Sequence, residues 1–259
     1  GSDYILHLAA MVSVPQSMTD PMGAHTINVT GTLNVLLAAQ ESGVKRVVLS
    51  SSCAVYGDND TFPLSETAET RPLSPYATTK LMGENYCRLF YRTYGVPTTC
   101  LRYFNIYGPR QDPASEYAAV IPRFAQRMRD GQSPLIFGDG SQTRDFVHVT
   151  DVVKANLLAC ECDTAKGQIL NVASGHGTSL IELVDTLNEV LGTSIQPVFA
   201  AARVGDIQHS RGDAARLAAA LNFRPGISLA EGLSSVLSGP LAQTEKALAA
   251  KLRLRLVTT

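Results

Sequence analysis

The residues of this chain that best suit chemistry are Tyr76 and Lys80, together with the serine run Ser50, Ser51 and Ser52. A spacing of four residues places Tyr76 and Lys80 one turn apart on the same face of a helix. Because a nearby ammonium favours the phenolate, we expect Lys80 to lower the pKa of Tyr76. A serine hydroxyl beside that phenol can hold a substrate oxygen. The set suits proton transfer to or from an alcohol or a carbonyl, the step that accompanies hydride transfer.

Composition narrows the class of protein. The chain has 259 residues, of which 45% are apolar, enough for a sizeable core. The formal net charge of −1, with lysine and arginine dispersed, argues against nucleic-acid and membrane partners. No apolar run is long enough to cross a bilayer, and no signal peptide is evident. The five cysteines lie in apolar contexts without metal-type spacing, so we expect buried thiols, no metal and a cytoplasmic protein.

Strand and helix patterns alternate in the first half of the chain. Residues 4–8, 46–49 and 98–102 are predicted strands, and residues 27–43 and 76–94 are predicted helices separated by a loop over 58–75. This alternation predicts parallel βαβ units whose strands are buried on both faces.

The pattern changes after Gly108-Pro109. Helices are predicted over 121–129, 152–162, 179–191, 214–221 and 229–237, and strands over 145–149 and 169–172. We expect Thr150 or Asp151 to cap the helix that begins near 152. The predicted domains are the remainder of a dinucleotide-binding domain over 1–110, a mainly substrate-binding lobe over 111–240 from which the chain returns to the core sheet, and a tail over 241–259.

Several short motifs resemble, in order and spacing, the extended short-chain dehydrogenase/reductase family, and within it the NAD-dependent epimerase/dehydratase group. The most similar branch is that of UDP-glucose 4-epimerases. The resemblance implies an α/β fold, here an N-terminally truncated Rossmann-like parallel sheet with a small C-terminal α/β substrate lobe. The motifs are His7-Leu8-Ala9-Ala10, Asn28-Val29-Thr30-Gly31-Thr32, the serine run with Val55-Tyr56-Gly57, Tyr76 with Lys80, Leu101-Arg102-Tyr103-Phe104-Asn105, and Thr143-Arg144-Asp145-Phe146-Val147-His148-Val149.

The resemblance implies a role for each matching position. Tyr76 is the expected acid and base at the sugar 4-hydroxyl, Lys80 lowers its pKa and binds the nicotinamide ribose of NAD, and Ser52 hydrogen-bonds the reacting oxygen, with Ser51 as an alternative. The implied NAD contacts also include Ala9, Asn28, Ser50 and Tyr103. The implied contacts to a UDP-sugar substrate are Asn105, Arg144, Arg203 and Asp206, the two arginines clamping the diphosphate.

Structural alternatives remain open for several of these residues. Asn28 can instead hydrogen-bond the backbone between helix and sheet. Arg144 can instead pair with Asp145 or Asp151, and Ser52 can cap a turn. Arg203 and Asp206 fit an ordinary surface pair as well as they fit a substrate site. His7 and His148 are expected to be hydrogen-bonded core histidines, and Cys53 is expected to pack in the core and not to react.

Two absences refine the expected chemistry. Cys53-Ala54 stands where relatives that eliminate or decarboxylate carry a carboxylate, so epimerisation or keto-reduction is favoured over dehydration. The family's first strand and its glycine-rich turn, which binds the cofactor pyrophosphate, are not found in the 259 residues. Relative to the family pattern, roughly sixty residues of βαβ structure are expected to be missing. We therefore expect weak NAD binding. We also expect a homo-oligomer, formed through the edge exposed by residues 3–8.

Two other functions compete with an epimerase-like activity. The first is a cofactor-independent hydrolase of the esterase or lactonase type, in which Tyr76 and Lys80 activate Ser52. The second is an inactive fragment that still binds UDP-sugars. Binding of NAD is the observation that best separates them.

Overall fold

The computed structural model describes residues 1–112, 119–202 and 207–238. Its strands are β1 (Tyr4–His7), β2 (Arg46–Ser52), β3 (Thr98–Tyr103), β4 (Asn105–Tyr107), β5 (Leu135–Phe137), β6 (Thr143–Arg144), β7 (Phe146–His148), β8 (Ile169–Val172), β9 (Thr178–Ser179) and β10 (Val198–Ala200). Its α-helices are α1 (Val14–Thr19), α2 (Pro21–His25), α3 (Gly31–Ser42), α4 (Pro75–Tyr94), α5 (Val120–Arg129), α6 (Val149–Glu161), α7 (Leu180–Leu191), α8 (Ala215–Leu221) and α9 (Leu229–Ser238).

The main sheet has four parallel strands in the order β1-β2-β3-β8. Because successive side chains of β2 point to opposite faces, Leu49 packs with Leu36 and Phe90 under α3 and α4. Val48 packs on the other face with Ala155 of α6. Helices on both faces explain why the inner strands are continuous apolar runs, and they confirm the predicted Rossmann-like α/β class.

Strand β1 forms one edge of this sheet within the described residues. Its inner neighbour β2 is almost fully buried, whereas Leu6 is 41% exposed and Leu8, just beyond the strand, is 57% exposed. His7 alone in β1 is buried. The predicted strand is therefore present with an exposed apolar edge, and the homo-oligomer expected from that edge stays a prediction.

Helix α4 positions the residues singled out for chemistry. It begins after Ser74, whose hydroxyl accepts a hydrogen bond from the Ala77 amide at 3.1 Å, and Pro75 occupies its first turn. It ends at Gly95, which adopts a left-handed conformation with φ of 69°. The buried positions Ala77, Lys80, Glu84 and Cys87 follow helical spacing, so one face of α4 lies against the sheet.

A second, smaller core lies beyond Gly108. The strand pairs β4-β7, β5-β10 and β6-β9 support α5, α7 and α9 around a separate apolar cluster. The cluster includes Tyr107, Ile121, Phe124, Ile136, Leu183 and Leu187. The short strands β5, β6, β9 and β10 have too few residues to show a period, which is why the sequence does not predict them.

The predicted cap of the helix near 152 is wrong. Helix α6 begins three residues earlier, at Val149, and its cap is the His148 side chain, which accepts from the Thr150 amide at 3.3 Å. The carboxylate of Asp151 instead accepts from the amides of Gly226 and Ile227 at 2.9 and 3.0 Å. Asp151 therefore forms hydrogen bonds with residues distant in sequence and does not cap the helix.

The predicted helix over 27–43 is divided. Residues Thr26–Thr30 form a π-helical turn, and the regular α3 follows from Gly31 to Ser42. Asn28 lies in this turn, with its side chain bound to the backbone of Met11. Such turns are rare and frequently lie at functional sites. No helix in the described part of the chain is long and apolar enough to cross a membrane.

Candidate active site

A cavity of about 540 Å³ opens at the carboxyl ends of β2 and β3. In parallel α/β sheets this edge is where ligands bind. The cavity brings together most of the residues predicted for the site, although their sequence positions span almost a hundred residues. Those lining it are Ser50, Ser51, Ser52, Tyr76, Lys80, Tyr103, Asn105 and Arg144.

Lys80 is buried in the cavity wall. Its Nζ donates a 2.8 Å hydrogen bond to the main-chain oxygen of Ser50 and lies 5.8 Å from the centroid of the Tyr76 ring. Burial lowers the pKa of Lys80 to about 8, because desolvation disfavours the ammonium. Lys80 thus remains a cation below that pH, but at a cost in stability.

The pKa of Tyr76 is raised, not lowered. Burial of the phenol is the main cause, the proximity of Cys53 adds to it, and a hydrogen bond with Ser52 opposes it. The net direction is thus opposite to the one expected from Lys80, because burial of the phenol dominates. Neutral phenol is the form of Tyr76 near pH 7.

Ser52 has the turn-capping role that was its structural alternative, and its expected contact with a reacting oxygen stays a prediction. Its hydroxyl oxygen accepts a 3.1 Å hydrogen bond from the Ala54 amide and so caps the 3₁₀ turn Cys53–Tyr56. The same side chain faces the cavity with Tyr76 and acts to lower the pKa of its phenol. Ser51 points elsewhere, since its hydroxyl donates to Glu84. Among the serines of the run, Ser52 is therefore the one that meets the phenol.

A chain of hydrogen bonds with a defined direction runs from Ser50 through Tyr103 to Asn156, and the first two of these residues line the cavity. The Asn156 Nδ2 donates to the Val152 carbonyl at 2.8 Å, which leaves Oδ1 to accept from the Tyr103 hydroxyl at 2.9 Å. Because Tyr103 has a single proton, it accepts from Ser50, 3.1 Å away. Ser50 therefore offers acceptor lone pairs, not a donor, to a ligand in the cavity. Asn156 was not anticipated from the sequence.

Glu84 and Arg102 were also not anticipated. The Arg102 guanidinium donates to both oxygens of Glu84, at 2.8 and 2.7 Å, and Glu84 has no exposed surface. The sequence did contain a signal for this pair. Glu84 follows Lys80 by four residues on the buried face of a helix, and Arg102 lies inside an apolar strand, where each needs a partner.

The substrate side of the cavity holds Asn105 and Arg144. The Nδ2 of Asn105 is buried and has no hydrogen-bond partner among the described residues, so it can donate to a ligand. Arg144 is half-buried and donates to the Thr143 carbonyl at 2.8 Å. It pairs with neither Asp145 nor Asp151. An ion pair between Arg144 and Asp145 was the structural alternative. Asp145 instead accepts hydrogen bonds from backbone amides, including those of Ser174 and Gly212.

Ala9 and Asn28 lie apart from this cavity. They line a small recess on the other side of Lys80, which contributes to both spaces. Asn28 accepts from the Met11 amide at 2.7 Å and donates to Thr79 at 2.9 Å, so the structural interpretation accounts for its side chain. Its role toward a cofactor stays a prediction.

The histidines and Cys53 behave as structural residues. His7 and His148 are buried and hydrogen-bonded to Thr32 and Ser235, each at 3.0 Å. Burial raises the pKa of Cys53 to about 11, so it stays a thiol. Arg203 and Asp206 lie outside the described residues, as does the tail over 241–259. Within the described ranges, no group of histidine, cysteine and carboxylate side chains is placed to hold a metal ion.

Comparison with known proteins agrees with this geometry. Residues 1–173 match the NAD dependent epimerase/dehydratase family. A putative UDP-glucose 4-epimerase of Methanocaldococcus jannaschii is 40% identical over 237 residues, which cover 91% of this chain and 76% of that protein.

Two solved structures resemble the chain closely. The UDP-N-acetylglucosamine 4-epimerase of Methanobrevibacter ruminantium, bound to UDP-N-acetylmuramic acid, is 39% identical with a TM-score of 0.88, covering 92% of this chain and 76% of that one. The UDP-glucose 4-epimerase of Thermotoga maritima, bound to UDP-glucose, is 39% identical with a TM-score of 0.86, covering 95% and 78%.

Proposed function

Because this chain belongs to the NAD dependent epimerase/dehydratase family, we propose that it catalyses inversion of the configuration at C4, the carbon that carries the 4-hydroxyl, in the sugar of a UDP-sugar. The observation that carries the proposal is the meeting of Tyr76, Ser52 and Lys80 at the end of β2, in one cavity with Asn105 and Arg144. A proton-transfer group thus faces groups suited to a sugar diphosphate.

In this proposal Tyr76 takes the proton of the sugar hydroxyl and later returns it. Ser52, which lines the cavity with Tyr76, hydrogen-bonds the same sugar oxygen in this proposal. Since the neutral phenol dominates near pH 7, a nearby positive charge must favour the phenolate for the first transfer. Lys80 supplies one such charge, 5.8 Å from the ring centroid.

The residues present fit the nicotinamide side of NAD. Within the described residues, Lys80 uses one of its three donors on the protein, at Ser50, and keeps two for ligand hydroxyls. Ser50 offers an acceptor and Tyr103 forms the adjoining wall. NAD held by these residues would supply the hydride acceptor and donor for the reaction.

Epimerisation is favoured over elimination. Dehydration needs a further acid or base near the sugar, and Cys53-Ala54 stands where such a carboxylate is expected. The raised pKa of Cys53, about 11, keeps its thiol protonated and unsuited to that task. We therefore assign the chain to the epimerase side of its family. UDP-glucose, bound by the Thermotoga maritima relative, is the model for the substrate class.

A hydrolase receives no comparable support. The family match and the two similar structures concern epimerases and dehydratases of nucleotide sugars, and neither of those structures is a hydrolase. No observation in the described residues favours ester or lactone cleavage. An inactive UDP-sugar-binding protein remains the alternative that the following experiment separates from an epimerase.

The test is conversion of UDP-galactose to UDP-glucose by the 259-residue chain with millimolar NAD, followed by nucleotide-sugar chromatography. Tyr76→Phe is expected to lower kcat/KM by roughly 10²- to 10⁴-fold, the usual contribution of a general acid and base. The control is Tyr94→Phe, the same substitution at an exposed position on the same helix. Equal turnover by Tyr76→Phe and the parent chain contradicts the proposal, and UDP-galactose binding without turnover identifies an inactive binding protein.

A further inference from the structure

Three residues of α4, spaced four apart, meet three consecutive serines of β2. Tyr76 lines the same cavity as Ser52, which influences its pKa. Lys80 donates to the carbonyl of Ser50, and Glu84 accepts from the hydroxyl of Ser51 at 2.5 Å. Tyr76 and Lys80 have roles in the proposed chemistry, whereas Glu84 is buried and does not line the cavity. We propose that Glu84 is a positioning residue, which through Ser51 holds Ser52 against Tyr76.

The Glu84 carboxylate is held from three directions. One oxygen accepts from Ser51 and from the Arg102 Nε at 2.8 Å, and the other accepts from the Arg102 Nη2 at 2.7 Å. Charge-assisted, two-pronged bonds of this kind restrict orientation as well as distance. The carboxylate has no exposed surface, so water cannot replace a lost partner.

The two partners of Glu84 are themselves aligned by the sheet. Ser51 and Arg102 are paired residues on the neighbouring parallel strands β2 and β3, and both side chains extend to the face that α4 covers. The guanidinium of Arg102 also stacks on Tyr56, 4.7 Å from the ring centroid. Glu84 therefore joins α4 to two strands at a single point.

The contacts of Glu84 with Ser51 and Arg102 control the position of the part of α4 that carries Tyr76. Eight residues separate Glu84 from Tyr76, about 12 Å along a helix that moves as a rigid rod over that length. On the strand, Ser51 and Ser52 are adjacent. A shift of Ser51 relative to Glu84 therefore changes the separation of Ser52 and Tyr76, although neither residue contacts Glu84.

Ser51→Ala tests the inference with little risk to folding, because it removes one hydrogen bond and leaves the Glu84–Arg102 pair intact. The matched control is Thr98→Val, which removes another buried hydroxyl bond between a strand and α4, from Thr98 to the Cys87 carbonyl at 2.9 Å. That bond reaches α4 one turn beyond Glu84, further from Tyr76. Both substitutions remove one buried hydroxyl.

The readout is the titration of Tyr76 in protein labelled with 3-fluorotyrosine, whose phenol titrates at lower pH than tyrosine. The ¹⁹F resonance is assigned from its loss in Tyr76→Phe. Because Ser52 acts to lower the pKa of Tyr76, displacement of Ser52 is expected to raise that pKa. We expect a rise of about 0.5 in Ser51→Ala and a larger one in Ser52→Ala, with no change in Thr98→Val.

A second readout rests on the proposed function. The kcat of UDP-galactose epimerisation is expected to fall roughly tenfold in Ser51→Ala, part of the full general acid–base contribution, and to stay unchanged in Thr98→Val. If the parent chain shows no turnover, the proposed function fails while the titration still decides the role of Glu84. A Tyr76 titration in Ser51→Ala identical to that of the parent chain, with Ser52→Ala shifted, overturns the inference.

Discussion

Lys80 donates a 2.8 Å hydrogen bond to the main-chain carbonyl of Ser50, two residues before the serine that contacts Tyr76. The bond fastens a buried ammonium to the end of β2. It does not repay the whole cost of removing that charge from water, since the pKa of Lys80 is lowered to about 8. The site therefore retains a destabilised cation, as expected where function and stability compete.

Replacing Lys80 by methionine should stabilise the protein near neutral pH. A pKa lowered from 10.5 to about 8 corresponds to at most about 3 kcal/mol, and the lost bond to Ser50 reduces the gain, so we expect about 1–2 kcal/mol. The advantage should persist below pH 8 and decline between pH 8 and 10.5. Over that interval the folded chain releases the Lys80 proton before the unfolded chain, so the stability of the parent rises with pH.

Urea denaturation at several pH values measures this difference. Lys45→Met is the control, since Lys45 forms an exposed ion pair with Asp3 and should show no comparable gap over the interval. A Lys80→Met variant less stable than the parent chain at pH 7 is incompatible with the cost assigned to the buried ammonium.

Removing one member of the Glu84–Arg102 pair should destabilise the fold severely. Glu84→Leu leaves a buried guanidinium without its partner, and we expect a loss of about 3–5 kcal/mol in the free energy of unfolding. The double variant Glu84→Leu/Arg102→Met should recover most of that loss, because apolar side chains of similar volume replace both charges. Denaturant melts of the three proteins test this.

The exposed pair Arg71–Glu69 provides the contrast. Both side chains are more than half exposed, so Glu69→Ala should leave the denaturation midpoint nearly unchanged. If Glu84→Leu changes the denaturation midpoint as little as Glu69→Ala does, the Glu84–Arg102 pair does not stabilise the fold as described above.

Ser52 should tolerate threonine but not alanine. Threonine keeps a hydroxyl for Tyr76 and for the Ala54 amide, whereas alanine removes both contacts. In the epimerisation assay we expect Ser52→Ala to lower kcat roughly 10- to 100-fold and Ser52→Thr to retain most activity. Comparable activity in Ser52→Ala and the parent chain removes Ser52 from the proposed site.

Arg144 should contribute to diphosphate binding. Calorimetry with UDP is expected to show affinity weaker by about tenfold or more in Arg144→Gln, equivalent to about 1.4 kcal/mol. The control is Arg127→Gln on the exposed side of α5, where the side chain bonds the Ser133 carbonyl. Equal losses in both variants indicate a general charge effect and not a clamp at Arg144.

Local signals predicted much of the fold. The ends of α4 follow from Ser74, Pro75 and Gly95, because capping and left-handed backbone depend on neighbouring residues. The start of α6 did not follow, because the carboxylate of Asp151 serves Gly226 and Ile227, some 75 residues away. Likewise, the backbone of Met11 holds Asn28 in a π-helical turn that local spacing presents as a regular helix.

The sequence by itself determined the parallel α/β class, the family and the placement of Tyr76 and Lys80 on one helix face, because these depend on periodicity and motif order. Only the tertiary structure decided that Ser52 meets Tyr76 while Ser51 meets Glu84, and that the pKa of Tyr76 rises. Those outcomes depend on burial and on partners distant in sequence. The pairing of Tyr76 and Lys80 is local, whereas the electrostatics of the site belong to the packed sheet and helix.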